Sequence, residues 1–276
     1  MKTVCIFGLG EAGSIISSDL LSAGISVQAY DPAPVITPAG VSRFEDPGEA
    51  VAGVDAVLAL TAASDATTAL SQSFEQIPQN ALYADFSTGP AGLKRQLAEK
   101  ADERGIAFAD VALVEIVPGS GIRTRALAAG TGADRFVKSF LPLGMPVESL
   151  GPRAGDAATR KLLRSVFMKG LAAVTIEALR GAQQAGLSEW LWQNISTEIT
   201  QADERFLGRL VTGSEVHAER RLHEMEASAV LLRELGIEPL MTDSTVENLK
   251  KLMSEGLPAI PSIQNAGTTD GSKAGK

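Results

Sequence analysis

The stretch Val4-Cys5-Ile6-Phe7-Gly8-Leu9-Gly10-Glu11-Ala12-Gly13 passes from a short apolar run into three glycines spaced GxGxxG, and a helical pattern follows. That order of strand, glycine turn and helix is what binding a dinucleotide pyrophosphate requires. Gly8 permits the tight turn out of the strand, Gly10 lets the backbone approach the pyrophosphate, and Gly13 lets the next helix pack closely on the sheet. The loop residue Leu9 and the helix-start residues Glu11 and Ala12 complete the candidate phosphate cradle, since free N–H groups and the positive helix dipole end face the anion there. Ile15, Ile16, Leu20 and Leu21 supply the apolar face of that helix. A second apolar strand, Ile25 to Tyr30, ends in Asp31, which lies 18 residues beyond Gly13. A carboxylate at roughly that distance, about 20 residues on, meets the adenosine ribose. Asp31 should accept from a 2′-hydroxyl and repel a 2′-phosphate, and Pro32-Ala33-Pro34 brings no cation, so the expected cofactor is NAD. Arg43 is the residue that would reverse this preference by folding back onto Asp31.

Beyond Asp31 the pattern keeps alternating. Asp55 to Leu60 reads as a buried strand followed by Thr61 and Ala62, which are assigned to the cofactor, and Ala66 to Phe74 as a polar-faced helix. Ala81 to Phe86, Ala91 to Arg104, Ile106 to Asp110 and Leu127 to Ala129 continue the series. The expected fold class is α/β, a Rossmann-type doubly wound parallel sheet followed by an all-α C-terminal domain. The change comes near Gly151-Pro152-Arg153, giving a dinucleotide-binding domain over residues 1–152 and a helical substrate and dimerisation domain over 153–256. Ala157 to Ala185 contains no proline and predicts one helix of about 45 Å at ~1.5 Å per residue. Helices over Glu189 to Leu210, Glu215 to Leu235 and Thr242 to Glu255 follow, with Gly213 and Gly236-Ile237-Glu238-Pro239 as stop signals. Residues 257–276, rich in Pro, Gly, Ser and Thr, read as a disordered tail.

Composition removes several function classes. The net charge of −8 disfavours nucleic acid as a partner. No segment reaches the roughly 18 apolar residues of a membrane span, and the single cysteine, Cys5, allows no intrachain disulfide, so a cytoplasmic protein is expected. Two histidines, His217 and His223, and one distant cysteine match no metal-ligand spacing, and no metal is expected.

With a dinucleotide in place, a proton must move as the hydride does. Lys161 is the candidate, at the start of the long helix in GDAATRKLLRSVFMKG, where Lys161, Ser165 and Lys169 stand at i, i+4 and i+8 on one face. Two neighbouring ammonium groups, or one partly desolvated, bring a lysine toward the range useful for general acid and base catalysis. The alternative is a solvated basic stripe continuing through Arg160 and Arg164.

Taken together, GLGEAG with Asp31, ADFST at 84–88, GIAFAD at 105–110 and Lys161 on a long helix resemble the β-hydroxyacid dehydrogenase family. The closer likeness is to its 6-phosphogluconate dehydrogenase-like branch with a distinct helical C-terminal domain, which the segments starting at Asp110, Lys161 and His217 also fit, over about residues 3–256. The resemblance implies that Lys161 takes a proton from a β-hydroxyl as hydride leaves the same carbon, and that Ser87 and Thr88, after ADFST, line the nicotinamide and the substrate. Alternatively Ser87 and Thr88 cap the helix from Ala91. The implied substrate is a small hydroxylated carboxylic acid or its carbonyl partner. An imine-type reductase on the same scaffold and a non-catalytic dinucleotide-binding sensor are the other two readings.

This chain departs from the family at Asp110. Where members read D-x-P-V-S-G-G and hold the substrate carboxylate on serine and glycine amides, it reads Asp110-Val111-Ala112-Leu113-Val114-Glu115-Ile116, and the family's asparagines after the lysine are Arg164 and Ser165. Replacement anchors are sought in Arg123 and Arg125, as a flexible arm or a solvated loop, and in His217 and Arg220, with a salt-bridged Arg220–Glu224 face as the structural alternative. Ser165 and Lys169 join them as candidate substrate residues. Trp190 and Trp192 point about 200° apart on an ideal helix, so core filling by one of them is expected, with subunit packing the alternative. The apolar load of the long helix predicts a homodimer.

Overall fold

A computed structural model describes residues 1–261. The chain divides into two compact units, Met1–Val166 and Phe167–Lys276. The division falls inside the long helix, beyond the composition break at 152/153, because the first turns of that helix are held by the sheet.

The first unit carries an eight-stranded sheet. Its strands are β1 (Thr3–Phe7), β2 (Ser26–Tyr30), β3 (Ser42–Phe44), β4 (Ala56–Ala59), β5 (Leu82–Asp85), β6 (Ala107–Leu113), β7 (Ala126–Ala129) and β8 (Val147–Ser149), in the order β3-β2-β1-β4-β5-β6-β7-β8. The first six have the doubly wound order and pair in parallel. Helices α1 (Glu11–Ser22), α2 (Pro47–Ala50), α3 (Ala66–Ser73), α4 (Ala91–Asp102) and α5 (Ala133–Phe140) complete the layers. Along β1 the side chains alternate between two cores, Val4 and Ile6 entering one, Cys5 and Phe7 the other, so both faces of the sheet are covered. Burial also raises the Cys5 thiol pKa far above its usual range, which leaves it inert.

The doubly wound parallel sheet forms as expected, and it is extended at β7 by one antiparallel pairing, to β6. The link between them, residues 114–125, is a tight loop without the crossover helix that a parallel neighbour needs. Strands β3 and β8, three residues each, carry too short a pattern to be read from sequence.

The second unit is helical: the rest of α6 (Asp156–Gln184), then α7 (Ser188–Gln201), α8 (Glu204–Val216), α9 (Ala218–Glu234) and α10 (Leu240–Glu255). The single helix expected over 189–210 is two. Asp203 ends the first by capping the second, accepting the Phe206 N–H at 2.7 Å, while Gly213, taken as a stop, lies within α8. Within this unit Ala229 and Leu232 of α9 and Val246 and Leu249 of α10 are buried. Gly181 of α6 sits so close to α9 that a Cβ would lie 2.6 Å from Leu232 Cδ2. Glu177 caps α10, accepting the Met241 and Thr242 N–H groups at 2.7 and 2.9 Å and the Thr242 hydroxyl at 2.6 Å. By contrast, α7 and α8 hold no buried residue. Trp190 and Trp192 are 62% and 58% exposed, which overturns core filling by either ring. Among the described residues no helix is long and apolar enough to cross a membrane. Of the segment expected to be disordered, 257–261 carries no regular element and 262–276 lies outside the described residues.

Candidate active site

The glycine loop behaves as its spacing demands. Gly8 has φ +92°, and a Cβ there would meet the Leu60 carbonyl oxygen at 2.6 Å. A Cβ on Gly13 would fall 1.9 Å from the Gly8 carbonyl oxygen, so α1 reaches the sheet only through a glycine. At Gly10 the added carbon meets nothing within 4 Å. Gly8 and Gly13 therefore serve the protein's own packing, while Gly10 keeps open a space beside α1. No side chain caps α1, whose first-turn amides have no helical partner.

Beside this loop lies a cavity of about 370 Å³ lined by Gly8, Gly10, Tyr30, Asp31, Pro32, Ala33, Thr61 and Ala62 on one part of its wall, and by Asp65, Thr68 and Gln72 of α3 and its N-cap on another. Gly8, Gly10, Asp31, Thr61 and Ala62 are residues that the sequence assigns to the cofactor. Asp65, Thr68 and Gln72 are not, although their i, i+3, i+7 spacing is the polar face of the predicted helix. The Thr61 hydroxyl is buried without a hydrogen-bond partner among the described residues, a group left for a ligand to satisfy.

Asp31 does more than wait for a ribose. Its Oδ2 accepts the Leu9 N–H at 2.7 Å and its Oδ1 the Ala33 N–H at 2.8 Å, so it ties the glycine loop to the end of β2. Leu9 is spent in this work: its N–H goes to Asp31, its carbonyl accepts the Ser14 hydroxyl at 2.7 Å, and its side chain is buried in the core. Arg43 does not fold onto the Asp31 carboxylate. It donates to the backbone carbonyls of Val35, Asp31 and Ala33 at 2.8, 2.8 and 2.7 Å, bracing the loop from the other side.

The second part of the site is built at the end of β5 and at its register partner in β6. Asp85 ends β5, and its Oδ2 accepts the Ser87 hydroxyl at 2.8 Å. Ser87 is buried while Thr88 is exposed, so only Thr88 presents its hydroxyl. Capping of α4 by either residue is excluded, because the N-cap is Pro90 and no side chain bonds to it. Lys94, fully buried on α4, sits 2.5 Å from Asp85 Oδ2 and 3.4 Å from Asp110 Oδ1. Asp110 Oδ2 in turn accepts the Gly155 and Ala158 N–H groups, both at 3.0 Å, and so caps α6.

On α6, Lys161 and Ser165 are half-buried, whereas Arg160, Arg164 and Lys169 are exposed. The basic run is thus not a uniform solvated stripe, and Lys169, in the other unit, does not share the half-buried environment of Lys161. The family's carboxylate cradle is absent in structure as well as in sequence. The positions of the family's serine and glycines are Val114, Glu115 and Ile116, which follow β6, and the Val114 N–H is taken by the Arg125 carbonyl oxygen at 3.0 Å. The 121–123 segment is no flexible arm: the Ile122 N–H donates to Asp19 Oδ2 at 2.7 Å, leaving Arg123 and Arg125 exposed on an anchored loop. His217 is not inside a helix but at the junction of α8 and α9, exposed, and Arg220 pairs with Glu224.

Residues 3–130 match the family described as the NAD binding domain of 6-phosphogluconate dehydrogenase. The sheet domain belongs to that NAD-binding family. Residues 182–252 match a second family, Domain of unknown function DUF1932, so this 6-phosphogluconate dehydrogenase-type NAD-binding domain precedes a DUF1932 region. A probable 3-hydroxyisobutyrate dehydrogenase of Mycobacterium tuberculosis is 26% identical over 198 residues, and the alignment spans 68% of this chain and 66% of that protein. The NAD-dependent L-serine dehydrogenase of Pseudomonas aeruginosa is 26% identical over 204 residues, 68% of each chain. A reductive aminase from Aspergillus terreus, in complex with NADPH and ethyl levulinate, shares the fold with a TM-score of 0.77 at 19% identity, covering 93% of this chain and 95% of that one.

Proposed function

We propose that this protein is an NAD-dependent oxidoreductase acting on the CH–OH group of a small hydroxylated carboxylic acid, with Lys161 as general acid/base. The observation that carries the reading is the glycine loop with open space at Gly10, an orphaned Thr61 hydroxyl and a carboxylate at Asp31, all on one cavity. These groups fit a dinucleotide: α1 faces the pyrophosphate, Gly10 leaves it room, and Asp31 reaches the ribose through the lone pairs its two backbone donors leave free. When bound, the cofactor supplies the hydride acceptor or donor. The Lys161 amine takes the β-hydroxyl proton as the C–H bond breaks, and in reduction its ammonium returns that proton to the oxygen. Thr88 and Ser165 are the candidate substrate contacts we retain beside it. The names of the two dehydrogenase relatives support a β-hydroxy acid as the substrate class.

Among the described residues the cavity wall bears the acids Asp31 and Asp65 and no cation, which favours NAD over NADP. NADH should bind about 100-fold more tightly than NADPH, the size expected when a charged group is buried without its partner. Fluorescence titration with each nucleotide checks this, and tighter NADPH binding would mean that Arg43 leaves its carbonyls for the 2′-phosphate. Imine reduction is the second reading, favoured by the 0.77 TM-score to a reductive aminase and by Val114-Glu115-Ile116 standing where the family has its serine and glycines. The lysine at 161 opposes it, because a β-hydroxyl rather than an imine nitrogen is the group the family's lysine serves.

We also propose a homodimer built on the helical unit. α7 and α8 bury nothing of their own yet carry Trp190, Trp192, Ile199, Leu207 and Leu210, and a groove of about 560 Å³ beside α7 is lined by Leu171, Val174, Trp192, Ile195 and Ile199. An apolar surface of this kind is what subunit contact covers. Light scattering should give twice the chain mass, and Ile199→Asp should halve it; a monomeric wild type rejects the dimer.

A further inference from the structure

Lys94 is the one lysine whose side chain is wholly buried among the described residues, and a buried ammonium persists only where it is paired and hydrogen-bonded. Its pairing lies at the carboxyl end of β5 and at Asp110, the residue of β6 that registers with Asp85, close to the edge at which ligands of open α/β sheets sit. On one side it donates to Asp85, both to Oδ2 at 2.5 Å and to the carbonyl oxygen at 3.1 Å. That carboxylate also holds Ser87, through its hydroxyl and, at 3.4 Å, its N–H. On the other side it faces Asp110 Oδ1 at 3.4 Å, while Oδ2 of the same carboxylate grips the Gly155 and Ala158 amides. Lys161 follows Ala158 by one helical turn, roughly 4.5 Å along the axis at ~1.5 Å per residue. The start of α6 is pressed from a second direction by the helix that carries Lys94. Gly155 has φ +96°, and a Cβ there would lie 2.9 Å from both the carbonyl oxygen and the Cβ of Ala91.

We propose that Lys94 is a positioning residue for the acid/base lysine, an inference that rests on the reading of Lys161 given above. Its ammonium orients the Asp110 carboxylate that caps α6 and joins it to the Asp85 carboxylate that holds the Ser87–Thr88 loop. The helix bearing Lys161 and the loop bearing Thr88 are thereby locked to one point. A buried ion pair that merely stabilised the sheet would have no reason to share both of its carboxylates with segments of the site.

The test uses the full chain with Lys94→Met and, should that variant not fold, Lys94→Met/Asp85→Asn, which removes the pair as a neutral unit. Hydrogen exchange should rise about tenfold or more at the amides of residues 158–161 and stay unchanged in α1. In protein reductively methylated with 13C, the Lys161 resonance, assigned by its loss in Lys161→Met, should move, and that of Lys138 should not. With a β-hydroxy acid as substrate, kcat should fall about 10- to 100-fold at unchanged NADH affinity, and the same change in a Lys161→Met background should cost nothing further. A folded variant in which the Lys161 resonance and the 158–161 amides are unmoved overturns the proposal, as does exchange that rises equally throughout the sheet. If Lys161→Met itself leaves turnover intact, the acid/base reading fails, while the exchange and resonance results still decide whether Lys94 fixes this helix.

Discussion

Lys161→Met should lower kcat about 1,000-fold while changing NADH affinity by less than about twofold, since a positioned general acid or base contributes roughly 10²–10⁴. The separation follows from placement. Lys161 is not among the residues lining the dinucleotide cavity; it stands on α6 three residues beyond Ala158, whose N–H Asp110 accepts. Its neighbours Arg160 and Arg164 are exposed, so Arg164→Met is the matched control and should leave kcat within about twofold, as surface substitutions usually do. The check is steady-state kinetics at saturating NAD with a β-hydroxy acid substrate, beside a fluorescence titration with NADH. Equal losses in the two variants would return the basic run to a solvated stripe.

The second large effect separates two glycines of one motif. Gly10→Ala should leave thermal stability nearly unchanged, because φ at Gly10 is −64° and its Cβ meets nothing within 4 Å. It should weaken NADH at least about tenfold, or ~1.4 kcal/mol, because the proposed site gives that empty space to the pyrophosphate. Gly13→Ala should do the reverse in order of cause. Its Cβ overlaps the Gly8 carbonyl oxygen, so the helix must shift at a cost of about 1–3 kcal/mol, and NADH binding is lost with the loop. Melting curves and titrations on the two variants check the pair. A Gly10→Ala protein that binds NADH as the wild type does would place the pyrophosphate elsewhere.

The contrast between these glycines shows why the first domain was legible in sequence. GxGxxG, the apolar strand before it and Asp31 after the next strand are local signals, each imposed by a short-range steric or electrostatic demand, and β1, α1 and β2 formed where they predict. The antiparallel β7 was not legible, because Leu127 to Ala129 reads alike in either direction and only its partner sets the sense. The break between α7 and α8 was carried by Asp203, an N-cap residue followed by Glu204, and was obscured by the helix formers on both sides. Lys94 was missed for a different reason. In AGLKRQL it stands beside Arg95 and looks solvated, yet Lys94, Leu97 and Ala101 form the buried stripe of α4. A lysine on such a stripe, with an aspartate in each of two neighbouring apolar strands, was the available signal. The long-range bonds from Asp110 to residues 155 and 158 have no local signature at all.

The most direct test of the central claim is the initial rate of NADH formation by the purified full-length protein with NAD and a panel of β-hydroxy acids that includes 3-hydroxyisobutyrate and L-serine, run for wild type and Lys161→Met together. The wild type should turn over at least one acid, and the variant should lose that turnover by about 1,000-fold. No oxidation of any β-hydroxy acid, together with NADPH-dependent reduction of a cyclic imine that survives Lys161→Met, would contradict that claim.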